Sequence, residues 1–319
     1  MLAGFVPAEA ENLLVGLNPA DDAAVYRLDD ERALVFTVDF FPPVVDDPAD
    51  FGAIAATNAL NDVFAMGGLP LLALSIAAFP EELPTSLLGE ILSAADEQVR
   101  AAGAILAGGH TIRDHEPKYG LAVVGTARPG AVWQKSTARP GDALFLTKPL
   151  GTGLVLHGHK RGLAGDAALA AAVAWMRTLN RDAAEVLRPF EPSAVTDVTG
   201  FGLLGHAHEM ASRSAVRLVL DASRWPTLDA ALEVARSGER TGGDRRNRDF
   251  AAAHVSLDGT KVPEELVALG YDPQTSGGLL VSLPADRGAV LAGSFDAAGL
   301  FLRRIGRVED GEGVVVECT

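Results

Sequence analysis

The stretch Phe51-Gly52-Ala53-Ile54-Ala55-Ala56-Thr57-Asn58-Ala59-Leu60-Asn61-Asp62-Val63-Phe64-Ala65-Met66-Gly67-Gly68 sets the terms on which the rest of the chain is read. Its apolar and small residues recur at helical spacing. Asp50 stands where an N-cap belongs, and Gly67-Gly68 followed by Pro70 supplies a stop, so the spacing predicts a helix over Phe51 to Met66. Asp62 is the only ionisable residue in it. Asn58 and Asp62 are four apart and share one face, with Asn61 beside them. A carboxylate on so apolar a helix is half-buried or more, and an unpaired buried charge costs several kcal/mol. No lysine or arginine occurs between Arg32 and Arg100 to serve it locally. Its partner is therefore either a bound cation or an arginine brought from a distant part of the chain.

Just upstream, Ala24 to Leu28 and Ala33 to Val38 are β-prone runs split by Asp29-Asp30-Glu31-Arg32, which reads as a hairpin. A turn centred between Asp30 and Glu31 sets Asp22 against Asp39, and a slip of one residue brings in Asp21 instead. Like charges about 5 Å apart repel by roughly 3 kcal/mol at an effective dielectric near 20. A cation at that strand end removes the conflict. Two solvated aspartates at a sheet edge account for the same pattern.

Downstream, Leu71 to Ala77 reads as a strand, Ser86 to Ala101 as a helix and Leu121 to Gly125 as a strand. Lys135 to Asp142 contains Arg139-Pro140-Gly141 and no apolar run, so it reads as a linker. The domain boundary is expected near residue 140, dividing the chain into domains 1–140 and 141–319. The second half offers a strand at Ala143 to Thr147, one alanine-rich helix from Ala164 to Leu187, and strands at Leu279 to Leu283 and Gly313 to Glu317. Helices and strands alternate in both halves, which places the fold in the α/β (α+β) class with mixed sheets.

The totals exclude several kinds of function. With 319 residues and 48% hydrophobic content the chain can bury two domain cores. Its longest apolar runs fall far short of the roughly 20 residues of a membrane span, and no basic n-region opens it, so the expected compartment is the cytoplasm. One cysteine, Cys318, rules out an internal disulfide or a multi-cysteine metal site. A net charge of -15 repels nucleic acid and anionic membrane. An anionic ligand would have to bring cations with it.

Three loops are the remaining candidates. Asp197 lies in Thr196-Asp197-Val198-Thr199-Gly200-Phe201-Gly202, ahead of a helix from Leu203 to Ser212, where it either caps the helix or joins a hard-cation site with Asp22 and Asp62. Gly200, Gly202 and Gly205 match G-x-G-x-x-G, with Asp221 after the strand Val216 to Leu220, but Thr196 to Thr199 is too polar for the hydrophobic strand that the dinucleotide fingerprint requires. Gly108-Gly109-His110-Thr111 reads as a turn whose backbone could approach a phosphate, or as a structural histidine. His206, His208 and Glu209 look like a metal cluster, yet a spacing of two puts the histidines on different helix faces.

Together these segments resemble the selenophosphate synthetases. The blocks that carry the likeness are Asn12 to Gly16, Asp21 to Tyr26, Thr37 to Phe41, Ala55 to Gly68, Leu106 to Thr111, Leu146 to Gly151, Thr196 to Gly205 and Asp272-Pro273-Gln274-Thr275-Ser276-Gly277-Gly278. The resemblance implies a two-domain aminoimidazole ribonucleotide synthetase-like fold and conversion of ATP, selenide and water to selenophosphate, phosphate and AMP. It implies Mg²⁺ on Asp22, Asp62 and Asp197. It implies ATP contacts from Pro19, Ala20, Asp21, Asp39 and Asp62, and from Gly109, His110 and Thr111 across the interface of a homodimer. The first domain would bind ATP and Mg²⁺ and dimerise, and the second would close the site. A dimeric Mg-ATP-binding relative without turnover is the other reading.

The departure is upstream of Asn12, where the family pattern has a glycine-rich segment with a catalytic cysteine or selenocysteine and a lysine three residues later. None of the 11 residues preceding Asn12 is Cys or Lys. The expectation is a chain truncated at its start, as happens when an in-frame UGA is taken for a stop, and unable as written to make selenophosphate. No catalytic residue is assigned on this reading.

Overall fold

A computed structural model describes residues 10–18, 20–258 and 262–319. The likeness of Met1 to Gly4 to the middle of a helix falls outside them. Two mixed sheets organise the chain. The first comprises β1 (Leu13–Val15), β2 (Ala24–Arg27), β3 (Ala33–Phe41), β4 (Leu69–Phe79), β5 (Ile105–Arg113) and β6 (Lys118–Ala127), in the order β1-β2-β3-β6-β4-β5. Only β4 and β5 run parallel. The second comprises β7 (Asp142–Leu146), β8 (Ala194–Asp197), β9 (Arg217–Asp221), β10 (Val255–Leu257), β11 (Leu279–Pro284), β12 (Arg303–Glu309) and β13 (Gly313–Glu317), in the order β10-β13-β9-β12-β7-β11-β8.

Helices α1 (Pro48–Ala65) and α2 (Thr85–Ala101) belong with the first sheet. Helices α3 (Thr152–Lys160), α4 (Asp166–Arg177), α5 (Arg181–Leu187), α6 (Gly202–Ser214), α7 (Ala231–Arg236), α8 (Asp244–Ala251), α9 (Glu264–Tyr271) and α10 (Gly288–Ala297) accompany the second. No helix among the described residues is long and apolar enough to cross a membrane.

The pivotal helix starts earlier than the sequence suggests. Pro48 occupies its first turn, where a missing N–H costs nothing, and Asp47 rather than Asp50 is the cap, accepting from the backbone N–H of Asp50 at 2.8 Å. Asp50 instead pairs with Arg177 at 2.6 Å. Every residue from Phe51 to Ala65 is buried. A helix buried all round has packing partners on all sides, and α1 touches α2, β3 and β6 of its own half as well as α4, α5 and β8 of the other. Small residues permit the approach: a Cβ on Gly52 would lie 2.2 Å from the Ile91 carbonyl of α2.

The hairpin forms, with a register one residue from the expected one. Ala24 pairs with Phe36 and Arg27 with Ala33. The turn is centred on Asp30, because the Asp29 carboxylate accepts from the N–H groups of Glu31 and Arg32. Asp21, not Asp22, therefore lies on the continuation opposite Asp39, and the ladder itself begins only at Ala24. The alanine-rich segment divides into α4 and α5, because Asn180 is drawn inward. Its backbone N–H donates to Asn61 Oδ1 at 2.8 Å and its Nδ2 to the Gly277 carbonyl at 3.0 Å.

Helix α3, which the sequence reading missed, is capped from a distance. Gly151, at φ 111°, turns the chain into it, and Gln274 Oε1 accepts from the N–H groups of Gly151 and Thr152 at 2.9 and 3.1 Å. Asp272 Oδ2 accepts from Leu154 N–H at 3.0 Å. The orphan donors of the first turn are thus met by side chains lying far along the sequence.

Among the described residues, no helix covers one face of the first sheet. Phe36, Val38 and Phe40 on β3, Leu69, Leu71 and Leu74 on β4, and Ile105 and Ile112 on β5 are each at least 42% exposed. Every position of β5 except Leu106 is likewise exposed, and β5 is the sheet's edge.

Asn61→Ala removes the acceptor for Asn180 N–H and the donor to Ser276 Oγ (3.2 Å). Each buried polar group so orphaned costs about 1–3 kcal/mol. A urea titration is expected to show a stability loss of about 2 kcal/mol or more; an unchanged midpoint would mean that these bonds do not join the two halves.

Candidate functional site

A cavity of about 840 Å³ opens between the two sheets. Asp21, Asp22, Asp39 and Asp62 line it from the first half, and Asp197, His206 and Glu209 from the second. Ala20 lines it as well, while Pro19 lies outside the described residues.

Each carboxylate is fixed by the element that carries it. Asp39, near the end of β3, accepts from Asn58 Nδ2 at 2.6 Å, and Asp62 accepts from Thr37 Oγ1 at 2.5 Å. Neither acquires an arginine, so the distant-arginine reading of Asp62 fails. Asp197 closes β8, a strand buried at every position. Asp22 accepts from Thr196 Oγ1 at 2.8 Å and from Lys135 Nζ at 3.0 Å. One oxygen of Asp22 and one of Asp197, both buried, have no hydrogen-bond partner among the described residues.

Burial, reinforced by the charge of Asp197 and then of Asp39, holds the Asp62 carboxyl well above the usual carboxylate range. Burial does the same to Asp197, with Asp22 and Asp39 adding to it. Asp21 is pushed up to about 7 by burial and by Asp22, and Asp39 to about 6 by burial. Carboxyls raised together by shared burial on one cavity wall mark a candidate functional site.

Lys135 was read as linker and belongs to the site. Burial disfavours its charge, but Asp22 and Glu209 outweigh that and raise its pKa. Its Nζ lies 3.3 Å from Glu209 Oε2, and its backbone N–H donates to Asp21 Oδ2 at 3.1 Å. Nothing in a polar run around Arg139-Pro140-Gly141 marks a buried lysine. A second buried lysine, Lys148, gives its Nζ to the carbonyls of Thr178 and Ser276 at 2.5 and 2.8 Å, and burial lowers its pKa to about 7.

Of the residues set aside, His206 and Glu209 line the cavity. Burial lowers His206 to about 4, and its Nε2 accepts from Thr199 N–H at 3.0 Å, which tethers the loop ahead of α6. His208 faces elsewhere, stacked on His254 at 4.2 Å. Thr196 and Asp197 are strand, contrary to the polarity argument, but the fingerprint fails on topology. Three strands, β12, β7 and β11, separate β9 from β8, so no parallel βαβ pair is formed.

Gly108 to Thr111 is not a turn. Gly109 pairs with Ser75, His110 with Ile76 and Thr111 with Ala77, all on the exposed edge strand β5 and away from the cavity of the same chain. The register shifts between Ala73 and Ser75, Gly108 has φ 141°, and a Cβ on Gly109 would meet the Ser75 carbonyl at 2.2 Å.

Among the described residues no group of three or more His, Cys, Asp or Glu side chains closes on a single point as a metal cluster would. The carboxylates ring the cavity instead. Their all-oxygen chemistry and the two unpartnered buried oxygens suit a hard cation held by one or two carboxylates, with oxygens of a ligand completing its shell.

Residues 20–127 match the family described as AIR synthase related protein, N-terminal domain, and residues 139–319 its C-terminal domain. The chain is 48% identical over 308 residues to selenide, water dikinase 2 of Peptoclostridium acidaminophilum, covering 96% of this chain and 88% of that one. It is 49% identical over 278 residues to selenide, water dikinase of Caldanaerobacter subterraneus subsp. tengcongensis, covering 87% and 80%. Its fold is similar to that of hydrogenase maturation protein HypE in complex with ATP, with a TM-score of 0.70 at 19% identity over 98% of this chain and 88% of the other.

The raised carboxyls fix a pH dependence. Unfolded aspartates release their protons near pH 3.9, whereas folded Asp39 and Asp21 keep theirs to about 6 and about 7. Between these limits the folded state binds more protons, so stability falls as pH rises, by about 1.4 kcal/mol per unit for each group. Urea midpoints of metal-free protein are expected to drop from pH 5 to pH 7, with a shallower slope in Asp39→Asn. A midpoint rising over that range would contradict the shared burial of these groups.

Proposed function

The chain belongs to the selenide, water dikinase family, and on that premise we propose that the cavity between its sheets is where ATP is bound and its phosphates are worked on. The activity is selenophosphate synthesis: ATP, selenide and water give selenophosphate, phosphate and AMP. Identity of 48% across nearly the whole chain carries that assignment. The observation that carries the location is the meeting of Asp22, Asp39, Asp62 and Asp197, from four separate segments, on one cavity wall with two buried oxygens unpartnered.

A wall so acidic in a chain of net charge -15 repels the polyanion ATP unless cations accompany it. Asp22, Asp62 and Asp197 are the residues we assign to Mg²⁺. Bound there, the ion would supply neutralisation of charge on the phosphoryl oxygens during transfer. Asp39 and Asp62 are already oriented by Asn58 and Thr37, so the wall is pre-organised. Ala20 and Asp21, with Pro19 before them, are assigned to the nucleotide. His206 stays neutral and holds the Thr199-Gly200 loop at the mouth.

Gly109, His110 and Thr111 are assigned to the nucleotide of a second subunit. The bare apolar face of the first sheet and its open edge at β5 support a homodimer built on that sheet, since contiguous exposed apolar surface marks an interaction site. We assign residues 1–140 to ATP and Mg²⁺ binding and to dimerisation, 141–319 to closing the site, and the cytoplasm as its place of action.

Asp62→Asn is expected to abolish Mg²⁺-dependent ATP binding while the protein folds with equal or greater metal-free stability, because the amide carries no charge to bury. Calorimetry with undiminished affinity would remove Asp62 from the site. Light scattering at micromolar concentration is expected to give about twice the 33.2 kDa chain mass. A mass of one chain would count against the dimer and against the assignment of His110.

A further inference from the structure

Lys135 brings a buried ammonium directly onto the acidic wall. Its side chain is 6% exposed, as against 4% for its partner Asp22 and 14% for Glu209. Its Nζ stands 3.0 Å from Asp22 Oδ1 and 3.3 Å from Glu209 Oε2. The segment around it is anchored at both ends of its peptide units: its N–H donates to Asp21 and its carbonyl accepts from Ser214 Oγ at 3.2 Å. The long stem can therefore swing while the backbone stays fixed. Glu209 is held in turn by Arg213 at 3.3 Å.

Asp22 Oδ1 is thus already occupied by a cation of the chain itself and by the Thr196 hydroxyl, whereas Oδ2 is buried with no partner. A divalent ion taking Asp22 meets Nζ within about one ion-pair length, and two cations at that separation repel by several kcal/mol at a protein-like dielectric. We infer that Lys135 is a tethered counter-ion that neutralises Asp22 in the empty cavity and must leave it when the metal and nucleotide enter, with Glu209 as the carboxylate that receives it. Lys135 is a positioning residue on this account. It holds Asp22 aligned through the Nζ–Oδ1 contact when no metal is bound, and it sets a threshold of metal concentration below which the cavity does not load. Glu209 lowers that threshold by offering Nζ a second seat.

The inference rests on the reading of this cavity as a Mg²⁺–ATP site, and the two can fail separately. The probe is a non-hydrolysable ATP analogue titrated by calorimetry into the whole chain at a series of Mg²⁺ concentrations. If the unmodified chain binds the analogue with no dependence on Mg²⁺, the site reading itself falls. If it binds with Mg²⁺ dependence, Lys135→Gln is expected to lower the half-saturating Mg²⁺ concentration about tenfold, since a competing charge is gone. Glu209→Gln is expected to raise it, because Lys135 then has Asp22 alone. Melting without ligand reports the other half of the role: Lys135→Gln should melt lower without metal and gain more on adding Mg²⁺ and analogue than the unmodified chain does. An unchanged or higher Mg²⁺ requirement in Lys135→Gln would overturn the inference. Should that variant not fold, Glu209→Gln decides alone, and an unchanged or lower requirement in it overturns the inference equally.

Discussion

The burial of α1 around its whole circumference is the constraint on which the rest depends. A helix so placed cannot leave Asn58, Asn61 or Asp62 to water, and each must find a partner in whichever layer it faces. Asn58 Nδ2 reaches Asp39 in the first sheet while its Oδ1 accepts from Ser276 N–H at 2.8 Å. Asn61 spans Ser276 Oγ and Asn180 N–H. Among the described residues the Asp62 carboxylate has the Thr37 hydroxyl as its one hydrogen-bond donor. Two amides therefore rivet the halves of the molecule together, and one under-satisfied acid is left pointing at the space between them. The cavity and its electrostatics follow from that single helix.

Cations are sparing around this space. Lys148 is buried outside the cavity lining, and its ammonium donates to the carbonyls of Thr178 and Ser276 and not to the aspartates. Arg213 is engaged with Glu209. Lys135 alone among the buried cations makes an ion pair with one of the aspartates. The wall keeps an excess of negative potential that the protein does not cancel internally. Self-repulsion of this kind lowers the stability of the fold.

Much of this was legible in the sequence, because it rests on local pattern. The period of Phe51 to Met66, the isolation of Asp62 and the order of the acidic blocks pointed to the correct helix, the correct class and the aspartates that the structure brings to one cavity. What was not legible depended on partners far along the chain. Asp50 has the composition of a cap, and only the position of Pro48 in the first turn and of Arg177 across the groove shows why Asp47 serves instead. The hairpin register moved by one because the Asp29 side chain tightened the turn, a choice made by hydrogen bonds that no alternation of apolar residues records. Gly108-Gly109 reads as a turn unless β4 is known to press against it. Polar Thr196 and Asp197 look unfit for a strand until β11 pairs with them and α1 covers them. Lys135 was hidden by the same rule, since burial of a lysine is paid for by acids contributed from elsewhere.

The distant capping of α3 also has a meaning in time. A ribosome makes the chain from the N-terminus at about 5–20 residues per second, and α3 emerges well before Asp272 and Gln274 exist. Its first turn must wait, open or solvated, until the last fifth of the chain has been made. Ser276, the seat of Asn58 and Asn61, arrives in the same late segment. The partners that complete the cavity thus become available only late in synthesis. Non-local closure of this kind is slow and leaves apolar surface bare while it lasts. The exposed apolar face of the first sheet is encoded wholly in the first half of the chain, so it is made before those partners exist.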